Sequence, residues 1–136
     1  MRVVLDTNVF VSGVFFSGIP GKILEAWRDG RITLVSSPAI LEEYRRVGDY
    51  LSVRYEGVDL QPVLSLTATS GFVVEDLKLP GPICEDPDDD KFLACALASG
   101  AMIIVSGDKH LLRASGWRGI EVLTPRKFLE GYLRER

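Results

Sequence analysis

The sequence predicts an α/β fold of three layers, α/β/α, with a central, mostly parallel twisted sheet of about four to five strands. Two observations carry this. Short runs rich in Val, Ile and Leu stand at residues 1–5, 32–35, 72–74, 102–105 and 120–123, as expected of strands buried on both faces. Helical periodicity fills the intervals, giving the order βααβααβαβαβα, which calls for parallel strands joined by helical crossovers. The whole span 1–136 is expected to form one domain around one core.

The first strand, Met1–Leu5, ends at Asp6-Thr7-Asn8, so it delivers polar side chains to the carboxyl edge of the sheet, where open α/β sheets bind ligands. Residues 9–16 are apolar and helical, broken at Ser17-Gly18-Ile19-Pro20-Gly21. Pro20 starts a helix that turns Ile23, Leu24 and Trp27 inward and stops at Gly30. After the strand at 32–35, Ser37 is the expected N-cap and Pro38 the first residue of a long helix. Its apolar stripe is Ile40, Tyr44, Val47 and Leu51. At about 100° per residue, Glu43 lies at the margin of that stripe and Glu42 opposite it, in solvent. A further helix covers 60–69, opened near Asp59 and ended by Gly71, and a short strand follows at 72–74. The proline-rich segment 77–87 is a loop.

The loop runs into Glu85-Asp86-Pro87-Asp88-Asp89-Asp90, followed by an apolar helix that stops at Gly100. Asp88 is the expected N-cap. Asp90 lies three, four and seven residues before Leu93, Ala94 and Leu97, so it is expected to face inward with them, while Asp89 and Lys91 splay sideways. The strand at 102–105 leads into Ser106-Gly107-Asp108, which repeats the geometry of Asp6: a carboxylate at a strand tip, opening a helix. His110, the one histidine, has no Cys or His spaced to share a metal and is expected to be a surface or substrate-contacting residue. The last strand, 120–123, precedes a helix begun at Thr124-Pro125, with Phe128, Leu129 and Tyr132 packing back.

Composition narrows the class. A hydrophobic fraction of 46% and a charged fraction of 26% are those of a globular chain, and the net charge of −3 argues against broad electrostatic attraction to nucleic acid. No apolar run reaches the roughly 20 residues of a membrane span. Residues 1–16 lack a cleavage pattern, and two thiols, Cys84 and Cys95, fit a reducing compartment; the expectation is a cytoplasmic protein without a membrane partner.

Two strand tips, Asp6 and Asp108, and two helix faces, Glu43 and Asp90, converge on one edge of such a sheet. Four crowded carboxylates repel unless cations neutralise them, and an all-oxygen set suits Mg²⁺ or Mn²⁺, which would promote displacement at phosphorus. Adjacent acids at 42–43 and within 86–90 can exchange roles on sequence alone. The Asp-x-Asp pair of a phosphatase nucleophile is absent, since position 8 is Asn.

Four segments carry a resemblance: Val4-Leu5-Asp6-Thr7-Asn8-Val9, Ser37-x5-Glu43, Asp88-x-Asp90-x2-Leu93-Ala94, and Val105-Ser106-Gly107-Asp108-x2-Leu111. Their order and spacing resemble PIN-domain ribonucleases, including VapC-like toxins of toxin–antitoxin pairs, over nearly the whole chain. The resemblance implies a doubly wound sheet and a metal-dependent endoribonuclease with Asp6, Glu43, Asp90 and Asp108 as catalytic and metal-binding acids. Asn8 and Ser106 would orient them or a metal-bound water, with Asp88 in support. Many relatives carry Thr in place of Ser106; the hydroxyl is retained. It further implies RNA as substrate, a protein antitoxin as partner and a homodimer, for which residues 9–16 and Trp27 offer apolar surface. The alternative is a catalytically silent binding module of the same fold.

Overall fold

A computed structural model describes residues 1–134, so the last two residues of the span 1–136 read as one domain lie outside the described residues. The chain runs through β1 (Arg2–Leu5), α1 (Thr7–Phe15), α2 (Gly18–Arg28), β2 (Thr33–Ser36), α3 (Pro38–Arg54), α4 (Gln61–Thr69) and β3 (Phe72–Val73). It continues through α5 (Asp90–Ser99), β4 (Ile103–Val105), α6 (Lys109–Arg113), β5 (Glu121–Leu123) and α7 (Pro125–Phe128). A 3₁₀ turn, Pro87–Asp89, precedes α5, and a single π turn, Leu129–Leu133, extends α7. The five strands form one sheet in the order β3-β2-β1-β4-β5, parallel throughout. Helices flank it, as a parallel sheet requires when both faces must be covered.

The core is the sheet itself. Val3, Val4, Leu5, Leu34, Val35, Ile104 and Val105 are inaccessible to solvent or nearly so, and Phe10, Ile23, Ile40, Tyr44, Leu93, Leu111 and Phe128 close over them. β1 is central, with Val4 opposite Val35 on one side and Ile104 on the other. Both of its neighbours arrive by long crossovers, so the carboxyl ends of β2, β1 and β4 lie together.

Some boundaries differ from the sequence reading. α2 begins at Gly18, two residues before Pro20, because Ser17 turns the chain with φ 63° and Pro20 fits within the first turn. Ser37 precedes α3 as expected, but its hydroxyl is buried without a partner, and the Ala39 N–H is taken instead by Asp76 Oδ1 at 3.1 Å. Tyr132 is 47% exposed; Leu133 is buried in its place. Cys84 and Cys95 are free and buried. Among the described residues no single helix is long and apolar enough to cross a membrane.

Tyr44 fixes the rotation of α3. Its ring stacks on Phe10 with centroids 4.1 Å apart and planes 4° from parallel, and its hydroxyl donates to the Leu5 carbonyl, one residue before Asp6. Tyr44→Phe keeps the stack but orphans that carbonyl. We expect it to cost about 1–2 kcal/mol, read as a lower urea midpoint at unchanged slope.

Candidate metal centre

The parallel pairing of β1 and β4 builds the site. Leu5 lies opposite Val105, and the Asp6 N–H donates to the Val105 carbonyl at 3.0 Å, so the chain leaves both strands at the same level. Asp6 then caps α1, Oδ1 accepting from the Val9 N–H at 2.9 Å, while Oδ2 accepts from the Ser106 hydroxyl. Capping and a place in the site are therefore both true of Asp6, one oxygen serving each. Ser106, fully buried, also accepts from the Asp108 N–H at 2.9 Å, and Asp108 caps α6 through the N–H groups of His110 and Leu111.

Glu43 reaches the same edge from α3. Its Oε2 accepts from the Thr7 hydroxyl, its Oε1 from the Lys91 ammonium at 2.9 Å, and the Arg46 guanidinium lies 3.6 Å away. Glu42 points outward and pairs with Arg45, which holds its carboxyl below the usual range. Asp6, Thr7, Asn8, Glu43, Val47, Asp89, Phe92 and Asp108 line one open cleft of about 150 Å³. That volume suits an ion with a phosphate group better than a large organic ligand. A larger groove of about 530 Å³ beside Ala26 and Leu129 mixes both signs of charge and contains none of these acids.

The third acidic position differs from the sequence reading. The Asp90 carboxylate turns away from the cleft and accepts from the N–H groups of Ile83 at 3.0 Å and Cys84 at 2.8 Å. Asp89 lines the cleft instead. The 3₁₀ turn at residues 87–89 takes Asp89 off the periodicity of α5, while Asp90, the first residue of α5, is held by the two loop N–H groups it accepts from. Leu93 and Ala94 are buried as expected, but Leu97 is 37% exposed, and Phe92, Cys95 and Ala96 are buried as well. Asp88, expected as N-cap and supporting acid, is an exposed partner of Lys91 at 3.1 Å; Asp86 caps the turn through the Asp88 N–H. Lys91 splays from the apolar face as expected, but towards Glu43, a partner 48 residues away that no local pattern reveals. Asn8 is exposed on the cleft edge.

The electrostatics are those of a site short of positive charge. Burial raises the Asp6 carboxyl above its usual range despite bonds from Ser106 and Val9, with Asp108 and Glu43 adding to the rise. Burial, followed by Asp108, Asp86 and Asp88, raises Asp89 to about 6, and its Oδ2 is buried with no hydrogen-bond partner. An orphaned carboxylate oxygen among other carboxylates fits a divalent cation. One ligand atom from each of Asp89, Asp108 and His110 lies within 4.8 Å of the others, so these residues could hold a metal.

Acids from separate elements thus gather at the carboxyl edge of a parallel sheet, where open α/β folds bind their ligands. Residues 2–110 match the PIN domain family, and the chain belongs to that family, whose members are generally nucleases. It is also similar to an uncharacterised protein of Methanocaldococcus jannaschii, MJ1680, at 34% identity over 97% of this chain and 92% of the relative.

The two adjacent aspartates separate experimentally. A carboxyl raised from 3.8 to about 6 on folding destabilises the folded state once ionised. In the metal-free protein the contribution of Asp89 to stability thus falls as pH rises from about 4 through about 6. Asp89→Asn should remove that loss, raising the melting temperature in EDTA at neutral pH and changing it little near pH 4. Asp90→Asn leaves one loop N–H without an acceptor and should cost about 1–3 kcal/mol at neutral pH. Thermal melts of both variants across pH check the pair.

Proposed function

We propose that this protein is a divalent-metal-dependent endoribonuclease that hydrolyses RNA phosphodiester bonds. The observation that carries the reading is the cleft formed by Asp6, Glu43, Asp89 and Asp108, brought from four separate elements and containing a buried carboxylate oxygen without a partner. Mg²⁺ or Mn²⁺ fits this donor set. Asp6, Asp89 and Asp108 would hold it, with Asp90 as the loop anchor behind them. A bound cation supplies charge neutralisation at the phosphoryl group and acidifies water.

The chain's own residues do the rest. Ser106 fixes the Asp6 carboxylate by donating to Oδ2, leaving its orientation independent of substrate. Thr7 and Lys91 hold the two Glu43 oxygens at the cleft wall, where Glu43 Oε2 can take a proton released in hydrolysis. Asn8 offers an exposed amide at the rim to a phosphate oxygen, and Lys91 and Arg46 add local positive charge that the net charge of −3 does not provide.

RNA cleavage in Mn²⁺ or Mg²⁺, abolished by EDTA and reduced at least about 100-fold in Asp6→Asn and Asp108→Asn with circular dichroism unchanged, is the expected result. Equal cleavage by wild type and both variants overturns the assignment. Metal binding without cleavage of any RNA favours the silent binding module.

The proposal extends to the toxin half of a toxin–antitoxin pair, a cytoplasmic homodimer with a protein antitoxin as partner. Residues 9–11, expected to contribute to a dimer surface, are buried inside the protein. Phe16 and Tyr55, 53% and 45% exposed with ring centroids 4.9 Å apart in an edge contact, form an exposed aromatic pair at the end of that segment. A dimeric mass by light scattering that becomes monomeric in Phe16→Glu is expected; a monomeric wild type removes this part of the proposal.

A further inference from the structure

His110 was not expected to be a metal ligand, yet its ring flanks the acidic cleft. Nδ1 lies 3.8 Å from Asp108 Oδ1, and Nε2 lies 3.4 Å from Glu85 Oε2. Glu85 is itself held, its Oε1 accepting from the Arg113 guanidinium at 2.6 Å. A carboxylate on one imidazole nitrogen keeps the proton there and leaves the other nitrogen's lone pair free, the usual way proteins orient a ligating histidine. With the proton held on Nε2 by Glu85, the nearer of the two carboxylates, the free lone pair would belong to Nδ1, on the Asp108 side. Asp89, whose Oδ2 is buried without a partner, is the third residue of this group.

We infer that His110 Nδ1 is a ligand, with Asp89 and Asp108, of the cation in this cleft, and that the site therefore selects a first-row transition ion over Mg²⁺. One candidate ligand atom from each residue lies within 4.8 Å of the other two. Opposed ligands on one ion with bonds of about 2.1 Å lie about 4.2 Å apart, so small rotations of these partly exposed side chains close the set. Imidazole nitrogen suits Fe²⁺, Ni²⁺, Cu²⁺ and Zn²⁺, and Mn²⁺, the weakest binder of that row, serves as their paramagnetic probe, whereas Mg²⁺ favours oxygen and keeps its waters. Glu85 acts through His110 and is a positioning residue.

The inference rests on metal binding in the cleft but not on the identity of the substrate. The test is titration of metal-free wild type, His110→Ala and Glu85→Gln with Mn²⁺ and with Mg²⁺ by calorimetry, together with pulsed electron paramagnetic resonance of the Mn²⁺ forms. Wild type is expected to bind Mn²⁺ at least about 10-fold more tightly than Mg²⁺ and to show ¹⁴N coupling to the ion. His110→Ala should lose that coupling and about 10-fold of Mn²⁺ affinity, with Mg²⁺ affinity unchanged; Glu85→Gln should keep the coupling with weakened affinity. Bound Mn²⁺ without ¹⁴N coupling in wild type overturns the role of His110 while leaving the nuclease proposal intact. Absence of any Mn²⁺ or Mg²⁺ binding overturns both.

Discussion

The structure depends on the lateral pairing of two strand ends. β1 and β4 run parallel, in register, and finish together, so residue 6 and residue 106 leave the sheet side by side. The Ser106 hydroxyl then joins them, donating to Asp6 and accepting from the backbone of Asp108. A hydroxyl is suited to that place because it donates and accepts at once, which a carboxylate or an ammonium cannot. Threonine would keep that hydroxyl; alanine would leave one Asp6 oxygen and the Asp108 N–H without this partner.

Around that pair, the acids have two kinds of work. Asp6 and Asp108 cap the helices that follow their strands, where the partial positive charge of a helix start favours a carboxylate. This support reduces the strain of gathering negative charge at one edge, but does not remove it: Asp6 and Asp89 are both raised above their usual range, by burial first and by neighbouring acids second. Glu43 is handled differently, by Lys91 and Thr7. The protein thus supplies its own cation to Glu43, whereas among the described residues neither Asp89 nor Asp108 forms an ion pair with a Lys or Arg.

Most of the architecture was legible because buried parallel strands leave short Val- and Ile-rich runs, and because a carboxylate directly after such a run has few places to go. That logic located Asp6 and Asp108. Glu43 was legible from the stripe through Ile40 and Tyr44, since Tyr44 is wholly buried and sets the helix rotation. The acids at 88–90 were not, because a 3₁₀ turn rotates each residue further than an α-helix does, and α5 is buried on so many sides that its sequence gives no clear inward direction. The loop at 81–85 also needed acceptors for its own N–H groups, and Asp90 met that need. Lys91 and His110 find their partners across the fold, beyond the reach of local periodicity.

The central position of β1 has a consequence for the order in which the protein comes into being. The strand made first is paired on one flank to β2 and on the other to β4, and Asp6 meets Ser106 across a separation of 100 residues. Such distant pairing makes assembly slow compared with a helical bundle of this size. A chain emerging from N- to C-terminus can join β1 to β2 early, but its other flank stays open until β4 has been synthesised. Partial chains thus contain Asp6 and Glu43 without their counterparts, and the cleft exists only once the chain has been made through Asp108.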